Sequence, residues 1–232
     1  MPVPDVTVLI AVTDRPKWAK AAAACAFTLA AHSRPAEVRI AAYRGGGAGS
    51  RVSRKYDAIR APFRTKWVLH LDADSIFAAP LDSMIEEADA MNVKVGARHA
   101  PDQLAARKGW SEENYKKLWD LAGMPYCKMA TTCAVLMRSD YAEKVFPRVE
   151  HWRNRIDATG MRLQRIYHHA QAAFTMACGE QGIREKDFWW LDRRQLSWPT
   201  EEPGIIVHGG RTQFRAILAK HFKPEGFGKG FR

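Results

Sequence analysis

Hydrophobic and polar positions divide the chain into short segments of two kinds. Val6 to Val12 is an apolar run broken only by Thr7, the pattern of a strand buried on both faces. Lys17 to Ala31, Ala-rich and apolar over much of its surface, predicts a helix. Glu37 to Tyr43 predicts a second strand, and the glycines of "RGGGAGSR", Arg44 to Arg51, a loop. Ser53 to Ala61 predicts a helix stopped by Pro62, and Trp67 to Leu71 a third strand. Leu81 to Ala90 predicts a helix and Val93 to Ala97 a strand. Within Pro101 to Gly123, "SEENYKKLWDLAG" predicts a helix opened by Ser111 and closed at Gly123. Cys133 to Arg138 predicts a strand, Tyr141 to Asp157 and Met161 to Cys178 two helices, and Trp189 to Leu191 and Ile205 to His208 two short strands. Strands alternating with helices predict an α/β sandwich with a mainly parallel central sheet, whose ligands sit outside the carboxyl ends of the strands. Asp14, Asp72 and Asp74 all fall at such ends.

Composition narrows the partners rather than the fold. The chain has 232 residues, 47% of them hydrophobic, and eight Trp, enough for one domain with a sizeable core. Thirty-six Lys and Arg against 25 Asp and Glu leave a charge of +11, so the protein's field attracts anions. Cys25, Cys127, Cys133 and Cys178 form no CxxC pair and sit in mostly apolar stretches. That suits reduced core thiols, with no disulfide or zinc framework. "MPVPDVTVLIAV" lacks a basic n-region, and the most apolar helix, Trp18 to His32, is short and carries Lys20. No signal peptide and no transmembrane segment are expected, and the expected location is cytoplasmic, at most membrane-peripheral.

The strongest chemical signal is Asp72-Ala73-Asp74 behind the apolar run of the third strand. Residues i and i+2 of a strand share a face, with α-carbons about 6–7 Å apart, so the two carboxylates repel unless a cation or water separates them. Hard divalent ions take such oxygens and leave places for phosphate. The competing reading is a turn, where Asp is common. In "PGIIVHGGR" a second apolar run ends at His208, a candidate third ligand. "RGGGAGSR" reads either as a surface loop or as a cradle for phosphate. Arg153, Arg155, Arg162 and Arg165, interleaved with Trp152 and Tyr167 against Asp157 alone, form a candidate polyanion site, as do the basic and aromatic residues of 211–232.

From Val6 to about Arg211 the chain resembles the glycogenin-like, family-8 retaining glycosyltransferases of the GT-A fold. "VTVLIAVTD" resembles their first, nucleotide-binding strand. "SRKYDAIRAPFRTKWVLHLDADSIFAAPLDSMIE" resembles the segment in which a helix Lys precedes the metal motif. "TTCAVLMRSD" resembles their N-S/A-G-V strand, with Thr132 and Ala134 in place of Asn and Gly. "CGEQGI" resembles GDQG, and "IIVHGGR" their closing His motif. The resemblance implies a metal-dependent hexosyltransferase that uses a nucleotide-diphosphate sugar such as a UDP-hexose, with retention. It implies Mn2+ or Mg2+ on Asp72, Asp74 and His208, and the nucleotide sugar on Thr13, Asp14, Lys55 and Ala73. Trp18 is a candidate to stack on the base. Glu180 and Gln181 are implied at the reacting sugar. The family continues its His motif to Lys-Pro-Trp; here Arg211 alone is left to steady the diphosphate.

A GT-A-like domain over residues 1–210 and a basic tail over 211–232, packed on or near the active site, complete the expectation. The positive charge points to a polyanionic acceptor, either a modified DNA base or a membrane-linked anionic glycan. Two further function classes fit the same residues. A sugar-phosphate nucleotidyltransferase would use the same metal pair, and a non-catalytic nucleic-acid-binding protein would use only the basic clusters.

Overall fold

The computed structural model of the chain describes residues 4–13, 16–43, 54–57, 59, 62–100, 112–161, 163, 166–198 and 201–209. The apolar runs become the middle of a six-stranded sheet. β1 (Val6–Thr13) and β3 (Trp67–Asp72) are buried along nearly their whole length, as is β6 (Ala130–Arg138). β2 (Glu37–Tyr43) alternates between covered and exposed positions because it lies at the edge. β5 (Val95–His99) and β7 (Phe188–Trp190) complete the order β2-β1-β3-β6-β5-β7. β6 alone runs against its neighbours β3 and β5, and the other three ladders are parallel. The expected mainly parallel α/β sandwich is the observed one.

Alternation along the strands splits the core in two. Val6, Val8, Ile10, Trp67, Leu69, Leu71 and Leu136 point to one face, where α1 (Pro16–His32) and α3 (Asp82–Ala90) cover them. Leu9, Val68, Val95, Val135 and Met137 point to the other. That second face is covered by α4 (Glu112–Ala122), α5 (Ser139–Val145), α6 (Val149–Ala158) and α7 (Ile166–Glu180). α2 (Arg54–Asp57) brings Lys55 and Tyr56 into that same layer. A small second sheet, β4-β9-β8, is built from β4 (Ser75–Phe77), β8 (Leu196–Ser197) and β9 (Ile206–His208).

Three differences from the sequence expectation have local causes. The single helix expected over Tyr141 to Asp157 is two, because Pro147 cannot donate an i−4 hydrogen bond and a 3₁₀ turn, Phe146–Arg148, breaks the run. β4 and β8, of three and two residues, are too short to show a period, and only pairing with β9 makes them strands. β5 starts two residues later than the apolar pattern suggests and extends through Arg98 to His99. The phosphate-loop reading of Gly45–Gly49 and the 211–232 tail lie outside the described residues.

Gly204 fixes the path into β9. A Cβ there would run into the carbonyl oxygens of Arg193 and Arg194, the latter 2.8 Å away. The Gly204 N–H donates to Ser197 Oγ (2.9 Å) and the next N–H, of Ile205, to the Arg194 carbonyl (2.8 Å). Gly204→Ala is therefore expected to cost about 1–3 kcal/mol by overpacking, read as a lowered Tm. It should also weaken divalent-cation affinity, since the displaced strand carries His208.

Candidate metal centre

The sheet order itself creates the site. From β1 the chain crosses to β2 on one side, then returns past β1 to β3 on the other, so β1 and β3 diverge at a topological switch point. Crevices outside the carboxyl ends of such strands bind ligands. Asp72 is the last residue of β3, level with Ala11 of β1. A two-residue turn at Ala73 and Asp74 leads into β4, and β4 pairs antiparallel with β9 so that Ser75 lies opposite His208. This pairing brings a residue 134 positions downstream back to the DxD turn. The Gly209 N–H donates to the Asp74 carbonyl (3.1 Å) and holds the turn against the end of β9.

Asp72, Asp74 and His208 each offer a ligand atom, and these atoms all lie within 4.8 Å of one another. His208 Nδ1 is 3.5 Å from Asp74 Oδ1 and 3.3 Å from Ser75 Oγ. The Trp198 ring meets the His208 ring edge-on at 5.2 Å. The two carboxylates differ in their surroundings. The Lys55 ammonium, itself 1% exposed, donates to Asp72 Oδ1 and to the Thr132 carbonyl, both at 2.8 Å. Burial works against the Asp72 charge, but Lys55 outweighs it and holds the carboxyl below its usual range. Asp74 has no such ammonium partner among the described residues, and burial with the Asp72 charge beyond it lifts its carboxyl to about 6, against the opposing pull of His208. Two carboxylate oxygens and an imidazole nitrogen, short of positive charge on one side, form a donor set that fits Mn2+ or Mg2+.

Other expected residues are placed variously. Thr13 ends β1, and its hydroxyl is buried without a partner among the described residues. Trp18 stands in the first turn of α1, partly packed on the core. Ala73, 3% exposed, turns its methyl into the core, leaving only its backbone for a ligand. Asp14, Arg162, Arg165 and Arg211 lie outside the described residues.

Glu180 and Gln181 are not brought to the cluster. Glu180 ends α7, and the chain then enters β7 at Phe188, paired with Val95. That end of the sheet is the one where Trp67 lies across from Arg138, roughly 17 Å by strand length from the Asp72 end. There Arg148 grips the Glu180 carboxylate with two bonds (2.9 and 2.8 Å) and the Trp152 indole donates a third (3.0 Å). Arg153, expected at a polyanion, is turned inward, its side chain 6% exposed, against Asp157. Arg155 is exposed, stacked at 4.6 Å on Trp152. Thr132, which stands where the resembling strand has Asn, accepts from Lys55 through its carbonyl. Ser75 and Trp198 were not expected at the site; only Ser75, adjoining the DxD, carried a signal in the sequence.

The Arg148 bonds hold the Glu180 carboxyl below its usual range. A depressed folded-state value means stability that is full above the ordinary Glu pKa of about 4.3 and lost as pH falls through the folded value. Urea melts of the parent and Glu180→Gln should differ by about 0.5–1 kcal/mol at pH 7. The difference should vanish in acid, with cation and nucleotide binding the same in both.

No protein-family profile matches the chain, and no curated protein matches it in sequence. Solved structures do match in fold. The galactosyltransferase LgtC, solved with donor and acceptor sugar analogs, superposes with a TM-score of 0.57 at 11% identity, over 92% of this chain and 95% of its own. A glycosyltransferase that takes part in glycosylating the major capsid of PBCV-1 gives 0.56 at 13%, over 94% and 100%. Mouse xyloside xylosyltransferase 1 gives 0.52 at 10%, over 89% and 98%. The fold is that of the GT-A glycosyltransferases.

Proposed function

We propose that the chain is a divalent-metal-dependent glycosyltransferase that moves a sugar from a nucleoside diphosphate to an acceptor hydroxyl. The observation that carries this reading is the convergence of Asp72, Asp74 and His208 within 4.8 Å at a switch point of a GT-A sheet. The fold alone would support many chemistries. A carboxylate pair closed by a histidine from a distant strand supports the holding of a divalent cation beside phosphate.

In the proposed reaction the bond from the anomeric carbon to the diphosphate oxygen breaks and a bond to the acceptor oxygen forms. The acceptor's proton must leave. Asp72, Asp74 and His208 would hold the cation, which when bound supplies Lewis-acid stabilisation of charge on the departing diphosphate. Lys55 fixes the Asp72 carboxylate in one orientation, and Ser75 and Trp198 fix the His208 ring. Thr13, with its free hydroxyl at the end of β1, is set to donate to the nucleotide, joined in this proposal by Asp14, the Ala73 backbone and Arg211, with Trp18 against the base. With the Glu180 carboxylate held by Arg148 and Trp152, the proposed base that takes the acceptor proton is a departing diphosphate oxygen, on the face the leaving group vacates. That geometry gives retention.

The test is thermal melting with UDP, GDP, CDP and ADP, each with and without Mn2+. A ligand at about 100 times its Kd adds about 2.7 kcal/mol, a shift of about 5–11 °C for a domain of this size. A shift with one diphosphate that requires the metal is the expected result, and UDP is the first candidate. Shifts with nucleoside triphosphates only, and pyrophosphate release on turnover, would assign the site to nucleotidyl transfer instead.

A further inference from the structure

α1 leaves one strand of the sheet uncovered. It packs on β1 and β4, so Val8, Ile10 and Val12 of β1 are buried. Their partners in register on edge strand β2, Val38, Ile40 and Ala42, are exposed on the same face, Val38 by 45% and Ile40 by 57%. Ala36, just before the strand, continues the exposed row. On the same side of the sheet the outer face of α1 shows Ala19, Ala23, Phe27, Ala30 and Ala31, with Phe27 50% exposed. A β-branched row at an open sheet edge is unusual for a surface facing water alone.

Among the described side chains of residues 18–36 the charge has one sign: Lys20 and Arg34 are both exposed, and there is no Asp or Glu. A second copy would set Lys20 and Arg34 against their own kind across a two-fold axis, in a chain that already carries +11. An anionic bilayer supplies both missing parts: acyl boundary for Val38, Ile40 and Phe27, and headgroup phosphates for the cations. We infer that the β2 and α1 face is a membrane-docking surface that seats this protein on anionic lipid. β2 ends at Tyr43, level with Thr13 of β1, so docking there would hold the switch-point edge next to the headgroups. The inference does not depend on the transferase reading.

The experiment is co-sedimentation of the full chain with phosphatidylglycerol/phosphatidylcholine vesicles and with pure phosphatidylcholine vesicles. It is run on the parent, on Val38→Asp/Ile40→Asp, and on Lys20→Glu/Arg34→Glu. These positions are exposed, so circular dichroism and Tm should match the parent. The expected result is binding that needs the anionic lipid, falls at least about tenfold in each double variant, and weakens in high salt. No sedimentation of the parent would overturn the inference. So would undiminished binding of the Asp variant, which would place any lipid contact elsewhere. A concentration-dependent dimer of the parent that Ile40→Asp dissolves, without vesicle binding, would assign the face to a second copy and overturn it as well.

Discussion

Asp74→Asn is expected to lower metal-dependent sugar transfer by about 10²–10³-fold while leaving the protein at least as stable as the parent. The loss follows from the electrostatics of the leaving group. Stabilisation of a departing diphosphate by a held cation is worth several kcal/mol, and a loss of about 3–4 kcal/mol is a factor of 10²–10³ in rate. The retained stability follows from the apo site. Asp74 is a buried carboxyl, 13% exposed, with the Asp72 charge nearby and no lysine of its own, so an isosteric amide relieves repulsion. Its backbone contact to Gly209 does not involve the side chain. Asp72→Asn should cost transfer similarly but also lower Tm, because it strands the Lys55 ammonium in the interior. The measurement is kcat/KM at fixed Mn2+ for both variants beside their melting curves without metal. Transfer by Asp74→Asn within about threefold of the parent would remove the metal reading of the DxD turn.

The parts of this molecule legible in the sequence are those in which one physical rule dominates. β1 and β3 are buried on both faces, so their apolar runs announce them, and the carboxylates at the end of β3 stand out because nothing else in the run is charged. His208 was legible for the same reason, at the end of another apolar run. What joins it to Asp74 was not. β4 and β9 are three residues each and exist only through long-range pairing, which no local pattern records. The placing of Glu180 failed for a related reason. Cys178 to Gln181 matches a motif by residue type, but the direction of α7 relative to β7 turns Glu180 to Arg148 and Trp152, and direction is a property of the assembled fold. Arg153 likewise reads as surface charge in a basic stretch, whereas the packing of α6 on α7 buries its stem and its head pairs with Asp157 one turn on in the same helix.

Lys55→Met is expected to be the most destabilising of the site substitutions. Lys55 is 1% exposed, and its ammonium is shared between the Asp72 carboxylate and the Thr132 carbonyl. Methionine keeps most of the volume and removes only the charge and its bonds. Breaking a buried pair by deleting one partner costs about 3–5 kcal/mol. Asp72 retains 34% exposure and recovers part of its hydration, which reduces the expected loss to about 2–3 kcal/mol, or about 4–12 °C in Tm. Two further measurements separate the charge from the packing. Lys55→Met/Asp72→Asn should regain at least about 1 kcal/mol over the sum of the two single variants, because the stranded carboxylate is gone. Mn2+ should raise the Tm of Lys55→Met more than that of the parent, because the ion then supplies the positive charge that Asp72 has lost. A double variant no better than the sum, with equal Mn2+ shifts, would mean that Lys55 contributes through packing and its Thr132 bond alone. The carboxylate would then owe its orientation to β3 and the turn that follows it.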